Sequence, residues 1–150
     1  MADIKQSIQK WCASQERSSF EVTQKLIAWR IPKDEIPHII TALRNQNFLN
    51  DERFAEDFAR GKFRIKQWGR LKIRLSLQQK RVKNEYIESA ISKIDEQEYI
   101  DCLRTLVIKK NALLPTQARE YERKAKLYQF LLSKGYENQL IKAIINEEIK

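Results

Sequence analysis

Apolar side chains recur three times along the chain in the same order and at nearly the same spacing. When Glu21 to Ile40 is set over Lys72 to Ile91, 51 residues later, and over Lys126 to Ile145, a further 54 residues on, five apolar columns align. The first two columns are four residues apart and so are the last two, which places each pair on one face of a helix. Each copy is therefore predicted to be a helix, a tight turn and a second helix. The columns are Val22, Ile73 and Leu127; Leu26, Leu77 and Leu131; Ile31, Val82 and Tyr136; Ile36, Ile87 and Ile141; Ile40, Ile91 and Ile145.

One more helical run precedes each copy, so the chain is predicted to be all-α, with three tandem three-helix repeats. The predicted boundaries are residues 1–49, 50–95 and 96–150. Pro115 disfavours helix at Leu114 and predicts a break within the third repeat. Because about fifty residues bury too little apolar surface alone, we expect the repeats to stack into an elongated, curved body.

The middle repeat also permits a different secondary structure. Residues 62–66 and 70–75 alternate basic and apolar side chains around Trp68 and Gly69, which by period alone describes a β-hairpin. The helical alternative rests on Asn50 or Asp51 as a helix cap, and on apolar pairs four residues apart on either side of Gly69. The repeats favour the helices, with Gly69 where one ends and the next begins.

Positive charge is concentrated in the same repeat. The 150 residues carry a net charge of +9, which divides over the three predicted repeats as +2, +5 and +2. From Phe58 to Asn84, a segment called the basic run below, there are ten Lys or Arg and no Asp or Glu. A solvated helix surface normally mixes both signs, so the basic run predicts contact with a polyanion.

The candidate binding residues are nine of these cations and one aromatic residue. Seven cations between Arg60 and Arg74 surround Phe63 and Trp68, a mixture that suits phosphate neutralisation and stacking on an exposed base. The alternative is a solvated charged face with both aromatic rings in the core. The candidates are Arg60, Lys62, Arg64, Lys66, Trp68, Arg70, Lys72, Arg74, Lys80 and Arg81.

Nothing in the sequence indicates an enzyme, a metal site or a cofactor. Cys12 and Cys102 lack metal-ligand spacing, and His38 is the single histidine. There is no glycine-rich phosphate loop and no nucleophile elbow. Because no apolar segment reaches membrane-spanning length or marks a signal region, we expect a cytoplasmic protein without membrane contact. We also expect it to be a monomer.

Residues 48–82 resemble the signature of the RecX family of RecA regulators. The pattern is a Leu-Asn-Asp-x-x-Phe-Ala start, a basic run, a Gly and then spaced aliphatic residues. Arg81 departs from it, because the family usually has Gly there; a non-Gly residue in a left-handed turn costs about 1 kcal/mol, so this turn is expected to be built differently. The matching residues are Leu49, Asn50, Asp51, Arg53, Phe54, Ala55, Gly69, Ile73 and Leu77.

The resemblance implies a partner that the pattern of residues does not reveal. RecX-like proteins lie in the groove of the RecA nucleoprotein filament, suppress its ATP hydrolysis, strand exchange and coprotease activity, and bind DNA weakly. It implies a non-enzymatic role in recombination, DNA repair and the SOS response, with the ten candidate residues contacting the filament or its single- or double-stranded DNA. The alternative is a general basic nucleic-acid-binding module without a RecA partner. A helix-turn-helix transcription factor is disfavoured, since no repeat has a distinctive recognition helix.

Overall fold

A computed structural model describes residues 2–149 of the chain, and within them it contains nine helices and no strand. The predicted all-α fold of three-helix repeats is confirmed, and the hairpin alternative is wrong because residues 62–64 and 70–75 are helical. The helices are α1 (Ala2–Ser14), α2 (Ser19–Ala28), α3 (Ile36–Asn45), α4 (Asp51–Arg64), α5 (Arg70–Gln79), α6 (Asn84–Ser92), α7 (Glu96–Leu113), α8 (Glu120–Ser133) and α9 (Asn138–Glu148).

All fifteen residues of the five apolar columns are buried, which confirms the core predicted from the repeat. The turn between the two helices of each aligned copy is also built the same way every time. Arg30, Arg81 and Gly135 have φ values of 61°, 59° and 96°, in the left-handed region. The amide after each of them donates to the carbonyl five residues earlier, at 3.1 to 3.2 Å, which closes the preceding helix. The expectation that Arg81 changes the turn is therefore wrong.

The chain divides into two compact units whose borders differ from those of the repeats. Unit 1 contains the residues up to Phe58 together with Ser76–Ala90, and unit 2 contains Ala59–Leu75 together with the residues from Ile91 on. Helices α4 and α5 of the middle repeat each contribute one part to each unit. The basic run is divided as well, and the greater part of it, residues 59–75, belongs to unit 2.

Unit 1 contains the start of the motif that carries the family resemblance, from Leu49 to Ala55. Of the two predicted caps of α4, Asn50 takes the role: its side chain accepts from the amide of Arg53 at 3.0 Å. Asp51 instead accepts from the amide and the hydroxyl of Ser19, at 2.7 and 2.8 Å, at the start of α2. The Arg53 guanidinium donates to Glu16 at 2.7 Å. The polar residues of the motif thus fasten α4 to the beginning of α2.

The remainder of unit 1 forms around one apolar cluster. Ser18 starts α2 with a capping box, in which its hydroxyl accepts from the amide of Glu21 and its own amide donates to the Glu21 carboxylate. Helix α3 then packs on α2 and closes the cluster. Its buried members are Ile8, Cys12, Val22, Leu26, Ile31, Ile36, Ile40, Leu43 and Leu49.

In unit 2, helices α7, α8 and α9 pack on one another. Asp95 caps α7, because its side chain accepts from the amide of Glu98 at 2.9 Å. The helix ends at Leu113 because Leu114 is extended ahead of Pro115, as predicted. The buried rings of Phe63, Tyr99 and Tyr136 form a chain of aromatic contacts, with centroids 5.8 and 5.1 Å apart. Phe63 is therefore a core residue.

Candidate nucleic-acid interface

Backbone hydrogen bonds within unit 2 hold the middle of the basic run in place. Gly69 directly precedes α5, and its amide donates to the carbonyl of Lys134 at 2.8 Å, while the amide of Leu71 donates to the carbonyl of Gly135 at 2.9 Å. A Cβ atom on Gly69 would lie 2.4 Å from the carbonyl carbon and oxygen of Gly135. The helix break at Gly69 is confirmed, but the left-handed residue there is Gln67, with φ 59°. Glycine is needed at position 69 for this close approach.

Three polar side chains complete the attachment. The Tyr99 hydroxyl accepts from the amide of Arg70 at 2.9 Å and donates to the Glu137 carboxylate. The Arg70 guanidinium lies 3.8 Å from the centroid of the Tyr99 ring, donates to Glu137 at 2.8 Å and pairs with Glu96. The amides of Arg70 and Leu71, at the start of α5, thus have hydrogen-bond partners within unit 2. They are therefore not free to bind a phosphate at the N-terminus of this helix.

The electrostatics of this attachment favour one protonation state. Burial, and then the Glu137 carboxylate, raise the pKa of Tyr99 well above its ordinary value, so the tyrosine stays neutral. Burial disfavours the charged form of Arg70, but Glu137 outweighs that effect and the pKa of the guanidinium lies above its ordinary value. Arg70 is 17% exposed and serves the packing of unit 2.

A second group in unit 2 combines charge with an aromatic ring. The ammonium nitrogens of Lys62 and Lys72 lie 5.0 and 4.6 Å from the centroid of the Trp68 ring. We call these three residues the Trp68 cluster. The ring is half-buried and holds both ammonium groups by cation–π attraction. The structure therefore gathers Lys62 from α4, Lys72 from α5 and Trp68 from the loop between them.

The remaining predicted residues are distributed over both units. In unit 2, Arg60, Arg64 and Lys66 are exposed and Arg74 is half-buried; the Arg64 guanidinium lies 3.8 Å from the Glu98 carboxylate. In unit 1, Lys80 lies 3.7 Å from the Glu21 carboxylate, and the Arg81 guanidinium lies 5.0 Å from the Phe20 ring centroid. The unit containing the Trp68 cluster thus holds eight of the ten candidates.

Lys134 lies beside the loop that carries Trp68, although it is not among the candidate residues predicted from the sequence. Its ammonium donates to the carbonyl of Lys66 at 2.9 Å, while the Tyr136 hydroxyl donates to the carbonyl of Gln67, also at 2.9 Å. Lys134 therefore adds a positive charge beside the loop. The aligned copies contain a signal for this residue, because Lys134 occupies the position that Lys80 has in the middle repeat.

The described part of the chain contains no group of three His, Cys, Asp or Glu side chains placed to hold a metal ion. His38 lies exposed on α3, and Cys12 and Cys102 are free thiols in different units. Burial raises the pKa of the Cys12 thiol. Among residues 2–149, no helix is both long and apolar enough to cross a membrane. The side chains of the Trp68 cluster offer positive charge and hydrogen-bond donors.

Comparison with known proteins identifies the family. Residues 50–91 match the family model of the second three-helix domain of RecX, and residues 96–145 match that of its third three-helix domain. The chain belongs to the RecX family. The RecX second domain thus coincides with the repeat that carries the basic run.

Named relatives and a solved structure agree with this assignment. The chain is 38% identical over 130 residues to "Regulatory protein RecX" of Clostridium botulinum, covering 86% of this chain and 60% of that one. It is 31% identical to "Regulatory protein RecX" of Prosthecochloris aestuarii, covering 88% of this chain and 84% of that one. The crystal structure of RecX from Lactobacillus salivarius matches with a TM-score of 0.83 and 26% identity, over 98% of this chain and 97% of that one. The chain spans about 60% of the length of its clostridial relatives.

Proposed function

We propose that this protein is a non-enzymatic regulator of the RecA recombinase. It binds the RecA nucleoprotein filament and inhibits RecA ATP hydrolysis, strand exchange and coprotease activity, with weak DNA binding that does not depend on sequence. The observation that carries the proposal is the match of residues 50–91 to the second RecX domain, because that match includes the Trp68 cluster. The proposal places the protein in the cytoplasm as a monomer.

Electrostatics explain how such a surface would engage the filament. Lysines at positions 62, 66, 72 and 134 neutralise DNA phosphates or carboxylates on RecA, and each phosphate contact releases counterions. Phosphate contacts position a protein without reading the base sequence, which fits a regulator that acts anywhere along a filament. We assign Trp68 the role of holding two lysine ammonium groups in place, because its ring already lies against both of them.

The other predicted residues take different roles within this proposal. Arg60, Arg64 and Arg74 supply further positive charge in unit 2, and Lys80 and Arg81 supply it in unit 1. Arg70 positions the segment instead of touching the ligand, since its guanidinium is held by Glu137 and Glu96. A substitution at Arg70 would therefore confound loss of binding with loss of structure.

The test uses a triple substitution of exposed or half-buried lysines and a matched control. Lys62, Lys66 and Lys72 are changed to Gln in one variant, and the exposed Lys5, Lys33 and Lys109 in the other. Each variant loses three charges, so both fall from the net +9 to +6. Gln has a helix propensity close to that of Lys, which limits effects on folding.

We expect only the first variant to weaken binding to single-stranded DNA and inhibition of RecA ATP hydrolysis. The steepness of log affinity against log salt should decrease by about 2, because each of the three lost phosphate contacts contributes about 0.7 to it. Equal effects of the two variants would contradict the site. A protein that leaves RecA turnover unchanged at saturation, yet binds DNA, would instead be a general nucleic-acid-binding module.

A further inference from the structure

Helix α5 carries apolar side chains on two opposite faces. Residues 70–77 alternate polar and apolar, and each step along a helix turns by about 100°, so positions two apart lie about 200° apart. Leu71 and Leu75 therefore lie on one side of α5, while Ile73 and Leu77 lie on the other. Only one side can face the interior: Ile73 and Leu77 are 0% exposed, whereas Leu71 and Leu75 are 43% and 56% exposed.

Positive charge borders the exposed leucines on both sides. By the same geometry, Lys72 lies about 60° from Leu75 around the helix, and Arg74 lies about 60° from Leu71 in the other direction. The basic run contains no Asp or Glu that would offset these charges within its own sequence. The surface is thus a short aliphatic ridge between cations.

The ridge is held rigidly, which matters for recognition. The amides of Gly69, Arg70 and Leu71 are all bonded to groups of unit 2, so the first turn of α5 does not need to order on binding. A preorganised surface loses less conformational entropy when a partner arrives. The leucines are therefore presented as a fixed feature and not as part of a mobile segment.

The chemistry of the ridge selects among partners. Phosphates on free DNA neutralise lysines, but they do not cover aliphatic side chains. A second copy of this chain would bring the same cations against each other, which opposes self-association. A lipid surface suits amphipathic helices with a broad apolar face, whereas α5 exposes two leucines on ten residues.

We infer that Leu71 and Leu75 form a docking surface for a protein whose own aliphatic side chains are bordered by carboxylates. The inference rests on the proposed function, under which that protein is a RecA protomer of the filament. It divides the basic run into two parts with different ligands. Lys62 and Lys66 meet phosphate, Leu71 and Leu75 meet protein, and Lys72 lies at the border between the two.

The experiment separates protein contact from DNA contact. Leu71 and Leu75 are both changed to Gln, and Ile108 and Leu132, which are 50% and 43% exposed in unit 2, are changed to Gln as the control. A third variant carries Met at positions 71 and 75, which keeps an apolar side chain of similar volume. Far-UV circular dichroism verifies helix content in each.

For Leu71→Gln with Leu75→Gln, we expect the concentration for half-maximal inhibition of RecA ATP hydrolysis to rise about tenfold. Affinity for single-stranded DNA should stay within about twofold, because the phosphate-binding lysines remain. The Met variant and the control pair should inhibit like the unaltered protein.

Two results would overturn the inference: equal inhibition by the Gln variant and the unaltered protein, or a loss of DNA affinity that parallels the loss of inhibition. If equal inhibition is accompanied by lost binding to phosphatidylglycerol vesicles, the ridge is a lipid surface. If the unaltered protein does not inhibit RecA at all, the proposed function itself fails, and this outcome is distinct from the other two.

Discussion

The two glycines of the basic run should respond in opposite ways to the same substitution. At Gly69, an added methyl group would meet the Gly135 carbonyl carbon and oxygen at 2.4 Å and the Tyr136 amide nitrogen at 2.5 Å. All three atoms belong to the backbone, so they cannot rotate away as a side chain would. At Gly61, within α4, an added methyl group meets nothing within 4 Å.

The magnitude for Gly69→Ala follows from what the methyl group displaces. It separates the backbones that exchange the Gly69–Lys134 and Leu71–Gly135 hydrogen bonds, each contributing about 1 kcal/mol. Overpacking adds about 1 to 3 kcal/mol. For Gly69→Ala we expect the free energy of unfolding to fall by about 3 to 5 kcal/mol. For Gly61→Ala it should rise by about 0.5 to 1 kcal/mol, because Ala suits a helix interior better.

Urea unfolding followed by circular dichroism measures both effects. With a denaturant dependence of about 1 to 3 kcal/mol per molar, the Gly69→Ala midpoint should fall by about 1 M or more, and the Gly61→Ala midpoint should rise slightly. Hydrogen exchange should also quicken at the amides of residues 69 and 71 in the first variant. Midpoints that move in the same direction for both variants would refute the close approach of Gly69 to Gly135.

Three further predictions concern other parts of the fold. Asp51→Ala should lower the stability to urea of unit 1 by about 1 to 2 kcal/mol, because the amide and hydroxyl of Ser19 lose their acceptor; no change would contradict this role. Burial raises the pKa of Tyr99 and of Tyr136 above the ordinary 10.0, so both tyrosines stay protonated in the folded protein. Because the unfolded chain loses these protons above about pH 10, the free energy of unfolding should fall there by about 1.4 kcal/mol per pH unit for each tyrosine. Urea midpoints measured across that range test this, and Tyr136→Phe should make the fall shallower. Arg30→Gly should raise the thermal midpoint, since glycine relieves the left-handed conformation at φ 61° by about 1 kcal/mol; a lower midpoint would contradict it.

The sequence predicts the helices and their cores because both depend on local spacing. Leu26 and Ile31 illustrate this point: each belongs to an apolar column, each is buried, and the turn between them is closed by a bond from one to the other. A hydrophobic residue that recurs every third or fourth position has to face the interior once the helix forms. The same rule explains why the hairpin alternative fails, since an alternating segment can also lie on a helix with two apolar faces.

The roles of Arg70 and Asp51 could not be predicted because their partners are distant in sequence. Arg70 pairs with Glu137, which lies 67 residues further along the chain, and Asp51 caps a helix 32 residues earlier. Pattern reasoning counts Arg70 as one more positive charge in the basic run. Tertiary packing instead makes Arg70 an ion-pair partner of Glu137 within unit 2. It also makes Asp51, the acidic residue of the family motif, a hydrogen-bond acceptor at the start of α2.

The division of α4 and α5 between the two units has a practical consequence for protein engineering. A cut at the predicted repeat border after residue 95 would separate Ala59–Leu75 from helices α7 to α9, with which it shares a compact unit. The truncated piece would then expose Phe63 and leave Gly69 without its neighbouring backbone. The apolar spacing of this chain repeats three times, but its compact units follow a different partition, so the third repeat is not a self-contained unit.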